Sequence, residues 1–415
     1  MYFPGISRGL DIAVPGAPVQ ALRPAPPVGS VALYGADHPM HRAEVVVAAG
    51  NRVKRGDALF HDRKRTEVTV TSPVAGVVRS VEIGAKRRLA SVAIDIDGDD
   101  AVAFDLPARL SRENVQALCL QTGFWAGLVQ RPFGRIPDPG HVPDAIFVTA
   151  MHTDPLAADA IVELTEARVP LARGLGALRL LTDGPVFVCQ GPGPDCVQSD
   201  RQARVARFSG LHPAGLPGTH IDRLFPVTGG RTIWQTDAQD VIALGRLLET
   251  GEMPGTRFIA LAGPGVRDPA LMRVPNGASL DDLARGQLVP GQMRVLSGSP
   301  LSGRESACLR RHHWQVSVLP RVDAPMRGDG WLPRHSKPLR PAPMVPTMAL
   351  AASLGPDLPV IPLIRALACG DVEMAEKLGV LGLLEDDLAL AAYASGGQDL
   401  PGMLRRVLNA LEDRP

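Results

Sequence analysis

Histidines are the first residues in this chain whose type could carry chemistry. His212 and His220 share one loop, residues 208–227 (FSGLHPAGLPGTHIDRLFPV), with Gly210, Gly215, Gly218, Pro213, Pro217 and Pro226, and His152 follows an apolar run. Three histidines could hold a metal ion, but such ligands usually come as short pairs or from one helix face. These three form neither pattern, so they are expected to make local hydrogen bonds. Gly191-Pro192-Gly193-Pro194-Asp195-Cys196 follows another apolar run, where a dinucleotide loop would lie. It is not G-x-G-x-x-G: Cys196 stands at the last glycine position, and two prolines remove amides that a phosphate would need. A turn between sheet elements is expected instead. Cys119, Cys189, Cys196, Cys308 and Cys369 are scattered and form no C-x-x-C. Neither a disulfide framework nor a thiolate site for zinc or an iron–sulfur cluster is expected. His312-His313-Trp314 lies beside Arg310 and Arg311, either as an exposed turn or as a contact for an acidic partner. No nucleophile–base arrangement is legible, so no catalytic residue and no metal ligand is assigned. The proline–glycine framework of residues 208–227 gives that loop a defined shape. Shaped loops on α/β scaffolds carry binding or docking, and His212, Gly215, Pro217, Gly218 and His220 are the expected docking residues.

The elements that position these residues follow from patterning. The 415 residues suffice for two to four domains. Residues 1–27 are rich in glycine and proline and read as an extended arm. β-Branched runs at 45–47, 68–70, 74–78 and 92–96 predict short strands. Ala145–Ala150 and residues 186–189 read as buried strands, with a mostly helical 157–181 between them that Pro170, Gly174 and Gly176 interrupt. An amphipathic helix over 240–250 and a strand over 258–262 follow, and this alternation predicts a Rossmann-like parallel sheet. The fold class is therefore multidomain α/β. The expected divisions are the arm and a β domain over 1–105, the Rossmann-like domain over 106–262 and a small α+β domain over 263–323. A proline-rich linker over 324–346 and a helical domain over 347–415 complete it.

The net charge of +1 argues against nucleic acid as a partner. Arg52, Lys54, Arg55, Arg63, Lys64 and Arg65, with Lys86, Arg87 and Arg88 behind them, form a basic cluster. It is a solvated face, or a contact for an acidic protein or an anionic membrane surface. No basic start followed by an apolar core marks a signal peptide. No stretch reaches the ~20 apolar residues of a membrane helix, and the nearest, residues 341–356, contains four prolines. A soluble or peripheral protein is expected.

Two resemblances add to this. Val53-Lys54-Arg55-Gly56-Asp57-Ala58-Leu59 and Ser72-Pro73-Val74-Ala75-Gly76-Val77-Val78 resemble a biotinyl/lipoyl-type barrel-sandwich domain. Arg65, beside Lys64, takes the place of the modified lysine, so the fold is expected as a scaffold without an attached cofactor. Gly9-Leu10-Asp11, Gly84-Ala85-Lys86-Arg87, Phe147-Val148-Thr149-Ala150-Met151, the loop from His212 to His220, Leu261-Ala262-Gly263-Pro264, Gly277-Ala278-Ser279-Leu280 and Arg294-Val295-Leu296-Ser297 occur in order. Together they resemble the NqrA family, a component of the sodium-translocating NADH:quinone oxidoreductase, over residues ~5–320. The family usually has a longer insertion near 325–345 and a Cys-Pro-Gly-type segment near the end, where this chain reads Ala394-Ser395-Gly396-Gly397.

The resemblance implies a peripheral subunit on the cytoplasmic face of the bacterial inner membrane, with five other subunits as partners. That complex oxidises NADH, reduces ubiquinone and exports sodium, with flavins and iron–sulfur centres in other subunits. This subunit itself carries no redox cofactor. It implies a small ubiquitin-like (SLBB-type) third domain and a fold like the flavin-bearing subunit of proton-pumping relatives. It also implies quinone binding, for which Arg131 and Phe133 in the irregular segment Arg131-Pro132-Phe133-Gly134-Arg135 are the candidates, with core or subunit contacts as the alternative role for both. The alternative is a cofactor-free relative of the electron-input subunit of the ferredoxin-linked ion pump, acting as an assembly scaffold.

Overall fold

The computed structural model describes residues 5–40, 42–199, 203–228, 230–321 and 345–414. Most of the expected linker at 324–346 lies outside them. The β-branched alternation near the N-terminus makes two small antiparallel sheets. Ser30–Tyr34, Leu89–Ile96, Gly76–Ile83 and Arg52–Val53 form one; Ala43–Val45, Ala58–Asp62 and Arg65–Thr71 form the other. Their inward residues, among them Val31, Phe60, Val68, Val70, Val92 and Ile94, are buried, as a period of two across facing sheets requires. This is the barrel-sandwich expected.

The second unit is a five-stranded sheet. Ala145–Ala150 lies at its centre, parallel to Val186–Gln190 on one side and to Ile233–Asp237 on the other. Ala203–Arg207 extends the first side, and Val129–Arg131 closes the second side antiparallel. All six residues of Ala145–Ala150 are buried, as in a parallel strand covered on both faces. Strand order reverses at Ala145–Ala150, so the crevice beyond the carboxyl ends of Ala145–Ala150 and Ile233–Asp237 is a topological switch point.

Two helices of this unit, Arg168–Leu178 and Ala238–Thr250, pack at unusually short range. A Cβ at Gly174 would stand 2.0 Å from the Val241 carbonyl oxygen, and one at Gly245 1.8 Å from that of Pro170. The glycine expected to interrupt the helix therefore stays inside it, because bare backbone lets the neighbouring helix approach. The break falls at Ala167, between Ile161–Glu166 and Arg168–Leu178. Pro170 fits in the first turn, where no amide is needed.

The third unit is a six-stranded mixed sheet. Thr256–Ala262, assigned from sequence to the α/β segment, pairs here with Ala270–Pro275 and Gln315–Pro320. Met293–Ser297 and Arg304–Glu305 complete one side, and Val19–Arg23 adds an edge strand parallel to Ala270–Pro275. The N-terminal arm is thus tied into the third unit. The C-terminal helices, including Val360–Cys369, Ala389–Ala394 and Leu400–Glu412, enclose a core of their own around Leu363, Leu388, Leu404 and Leu408. Among the described residues, no helix is long and apolar enough to cross a membrane.

Candidate functional site

The switch point opens into a cavity of about 400 Å³ where all four units meet. Thr149 and Thr236 come from the two strand ends. His152 comes from the loop after the first strand, Trp314 from the third unit, and Glu385 and Asp386 from the C-terminal helices. The loop that holds His152 is the one that would grip phosphates in a dinucleotide fold. It reads Met151-His152-Thr153-Asp154-Pro155 and has no glycine. The Gly191–Cys196 segment instead follows the next strand and is a turn, as expected. Gln190 holds it by accepting from the Cys196 amide at 2.9 Å and donating to the Pro194 carbonyl at 2.8 Å.

His152 Nε2 lies 3.6 Å from Asp237 Oδ2, and its ring is 6.4 Å from Trp314 at 32°. Asp237 also caps the helix Ala238–Thr250, accepting from the Gln239 amide at 2.9 Å. Burial pushes Asp237 up to about 8 against the pull of that amide. Burial moves His152 in the opposite sense, down from the usual imidazole range. Burial thus works against the charged form of both groups. Burial, then the carboxylates of Asp387, Asp154 and Glu385, raise Asp386 to about 6. Ser299 and Ser302 spend their hydroxyls on each other at 3.0 Å.

The loop of residues 208–227 forms one wall. Gly215 and Pro217 line the cavity, and the Gly215 amide donates to Thr153 Oγ1 at 2.8 Å. Pro217 opens the helix Pro217–Leu224, the position where a missing amide is harmless. His212 and His220 turn away into protein. His220 stacks on Phe208 with centroids 4.3 Å apart and bonds the Ala214 carbonyl through Nε2 at 2.9 Å. Burial drives its imidazole down to about 3. His212 Nδ1 meets Thr153 Oγ1 at 3.4 Å. The Leu10 amide donates to the His212 carbonyl, and Gly210, at φ +132°, lets Ile6 of the arm run alongside. Among the described residues no group of three potential ligands is placed to hold a metal ion.

Gly218 lies against Asp387 of the C-terminal helices, whose Oδ1 would be 2.2 Å from a Cβ at that position. Asp387 Oδ2 pairs with Arg131 Nη1 at 2.7 Å, and both side chains are no more than 2 % exposed. Arg131 further donates to Gln235 Oε1 at 2.7 Å and to the Gly382 carbonyl. Phe133, at φ +78°, gives its carbonyl to Arg405 Nη1 at 2.7 Å and packs on the C-terminal core. The residues singled out at 131–133 and at 212–220 are thus brought together through one carboxylate, Asp387. No local signal marks this pairing, because its members are 256 residues apart.

Several of the basic residues have internal partners. Arg310 meets Asp37 of the β unit at 2.6 Å, and Arg311 meets Asp240 of the α/β unit at 3.0 Å. The Arg310–Trp314 stretch, expected as an exposed turn or an acidic-partner contact, therefore clasps acids of its own chain. Arg55 bonds Glu252 and the Met253 carbonyl, and Arg65 reaches the Ile136 and Pro137 carbonyls, so both fasten the β unit to its neighbour.

Comparison with known proteins agrees with this architecture. Residues 5–97 match the family described as the NqrA N-terminal barrel-sandwich hybrid domain, 110–253 the NqrA second alpha/beta domain, and 258–307 the NQRA C-terminal domain. The NqrA protein of the Na(+)-translocating NADH-quinone reductase from Pseudomonas aeruginosa (strain UCBPP-PA14) is 42% identical, with 95% of each chain covered. Its counterpart from Klebsiella pneumoniae (strain 342) is 41% identical over 98% of this chain and 99% of the relative. Among solved structures, an NAD+-reducing [NiFe]-hydrogenase in the H2-reduced state aligns with a TM-score of 0.39 at 13% identity, over 73% of this chain and 61% of that one. With its three matched domains and relatives of this identity and coverage, the chain belongs to the NqrA family of the Na(+)-translocating NADH-quinone reductase.

Proposed function

We propose that the chain is the peripheral, cytoplasmic-face subunit of a sodium pump that oxidises NADH and reduces ubiquinone. In this reading it carries no redox cofactor, and its work is to dock five companion subunits. The observation that supports it is the lining of the switch-point crevice by segments of the chain's own other units. The C-terminal helices and the Arg310–Trp314 clasp line the crevice in which a nucleotide would lie, and the loop after the first strand lacks the glycines that would hold phosphates. Arg131 and Phe133 then serve docking of the C-terminal helices in place of quinone contact. A quinone carbonyl would have to displace Asp387, Gln235 or the Gly382 carbonyl from Arg131. The test is the visible spectrum of the purified chain with the activity of a deletion strain. No stoichiometric flavin or iron–sulfur absorbance is expected, and NADH-dependent quinone reduction should be lost from the membranes. A stoichiometric chromophore, or normal sodium-dependent activity without the chain, refutes the proposal.

A further inference from the structure

The hairpin Gly76–Ile83/Leu89–Ile96 ends in a tip, residues 82–88, in which every residue is exposed. On the β unit Arg79 pairs with Asp95, Arg52 with Asp97 and Arg65 with Asp62, while Lys54, Arg63 and Lys64 enter none of the ion pairs among the described residues. The hairpin tip holds three such cations in a row. Lys86, Arg87 and Arg88 stand in sequence, and none of the ion pairs among the described residues includes them. Lys86 and Arg87 both have φ of +54°, a left-handed backbone that non-glycine residues seldom adopt. The three cationic side chains thus sit on a tight, exposed turn at the end of the hairpin. Ile83 stands beside them, 55% exposed.

From this juxtaposition we propose that the 82–88 tip is a contact for the anionic headgroups of a lipid bilayer. A specific protein interface needs roughly 800 Å² per partner with a well-packed centre, which a seven-residue tip does not supply by itself. A bilayer surface demands no matching shape. It rewards clustered Lys and Arg through its negative potential, and an adjacent apolar side chain through burial at the headgroup boundary. Unpaired cations keep their full charge for such a surface, whereas Arg79 on the hairpin body already has Asp95 beside it. The inference rests on the proposed membrane-peripheral role, but its test does not use the other subunits.

The experiment is co-sedimentation of the purified full chain with phosphatidylglycerol-containing vesicles and with pure phosphatidylcholine vesicles, at low and at near-physiological salt. Each cation is worth roughly five-fold in partition near an anionic surface. The Lys86→Glu/Arg87→Glu/Arg88→Glu variant should therefore bind phosphatidylglycerol vesicles at least about 100-fold more weakly than the parent. Ile83→Ser should give a smaller loss, and phosphatidylcholine vesicles should recover little of either protein. Salt should weaken parent binding, since the Debye length falls to about 8 Å at physiological ionic strength. All four positions are exposed, so the variants keep the fold, which circular dichroism checks. Equal binding of parent and triple variant overturns the proposal, as does failure of the parent to bind. A triple variant that binds vesicles normally but no longer joins a multi-subunit complex assigns the tip to a protein partner and equally overturns it.

Discussion

Removing the Asp387 carboxylate should release the C-terminal helices from the α/β unit. In Asp387→Ala, Arg131 loses its ionic partner at a site where both side chains are no more than 2 % exposed. The Leu384 amide loses an acceptor 2.8 Å away. Breaking one side of a buried pair leaves an uncompensated charge and costs about 3–5 kcal/mol. Gln235 and the Gly382 carbonyl still accept from Arg131, which holds the expected loss toward the lower end, about 3 kcal/mol. The assay is urea unfolding, with limited proteolysis of the region 345–414 under native conditions. An Arg131→Met/Asp387→Ala double variant no longer buries a lone charge. It should be less destabilised than the sum of the two single variants by about 2 kcal/mol. Additive single effects, or a loss below about 1 kcal/mol with unchanged proteolysis, would refute the view that this pair fastens the unit.

Other consequences follow from named contacts. Gly245→Ala drives a Cβ to 1.8 Å from the Pro170 carbonyl oxygen and should lose at least about 1–3 kcal/mol by overpacking. Gly176→Ala on the same helix pair meets nothing within 4 Å and should gain about 0.4–1 kcal/mol; thermal unfolding compares the two. The folded-state pKa of Asp237 is raised to about 8, above the ordinary carboxylate value. The folded protein then binds more protons between about pH 4 and 8, and stability falls as pH rises through that window. Asp237→Asn, which keeps an N-cap acceptor, should flatten that decline in urea melts at pH 5 and pH 8. His38 and His220 are depressed by burial to about 4 and about 3. The unfolded chain protonates them first, so stability is present above about pH 6.5 and falls as pH drops below it. The slope should be up to about 1.4 kcal/mol per pH unit for each histidine.

Local chemistry was legible in the sequence, and long-range pairing was not. Ser111, Ser279 and Asp371 cap helices as their side chains suggest, because a cap is decided within four residues. Ala145–Ala150 and the 240–250 helix are visible from apolar runs and spacing; the helix begins two residues earlier, at Ala238. The broken glycine motif was readable as a turn for the same local reason. Which sheet a strand joins is a different matter. Thr256–Ala262 is as apolar as a Rossmann strand, and nothing within it distinguishes Ile233–Asp237 from Gln315–Pro320 as a neighbour. Gly174 weakens a helix in isolation, and only the facing Val241 backbone shows why it is there. Asp387 sits in an acidic run, Glu385-Asp386-Asp387, and its partner Arg131 lies 256 residues away. Of the site, His152 was visible as a loop histidine, while its partner Asp237 was not singled out.

If this chain works as a docking component of a sodium-translocating NADH-quinone reductase, it should travel with that complex. The most direct measurement is affinity purification of the tagged chain from detergent-solubilised membranes of its own host, followed by protein identification and an NADH:quinone reductase assay. Companion subunits are expected in equal amounts, with sodium-stimulated quinone reduction and flavin and iron–sulfur absorbance that stay with the companions when this chain is stripped away. A chain recovered alone, or one that keeps the chromophores after separation, would contradict the docking role.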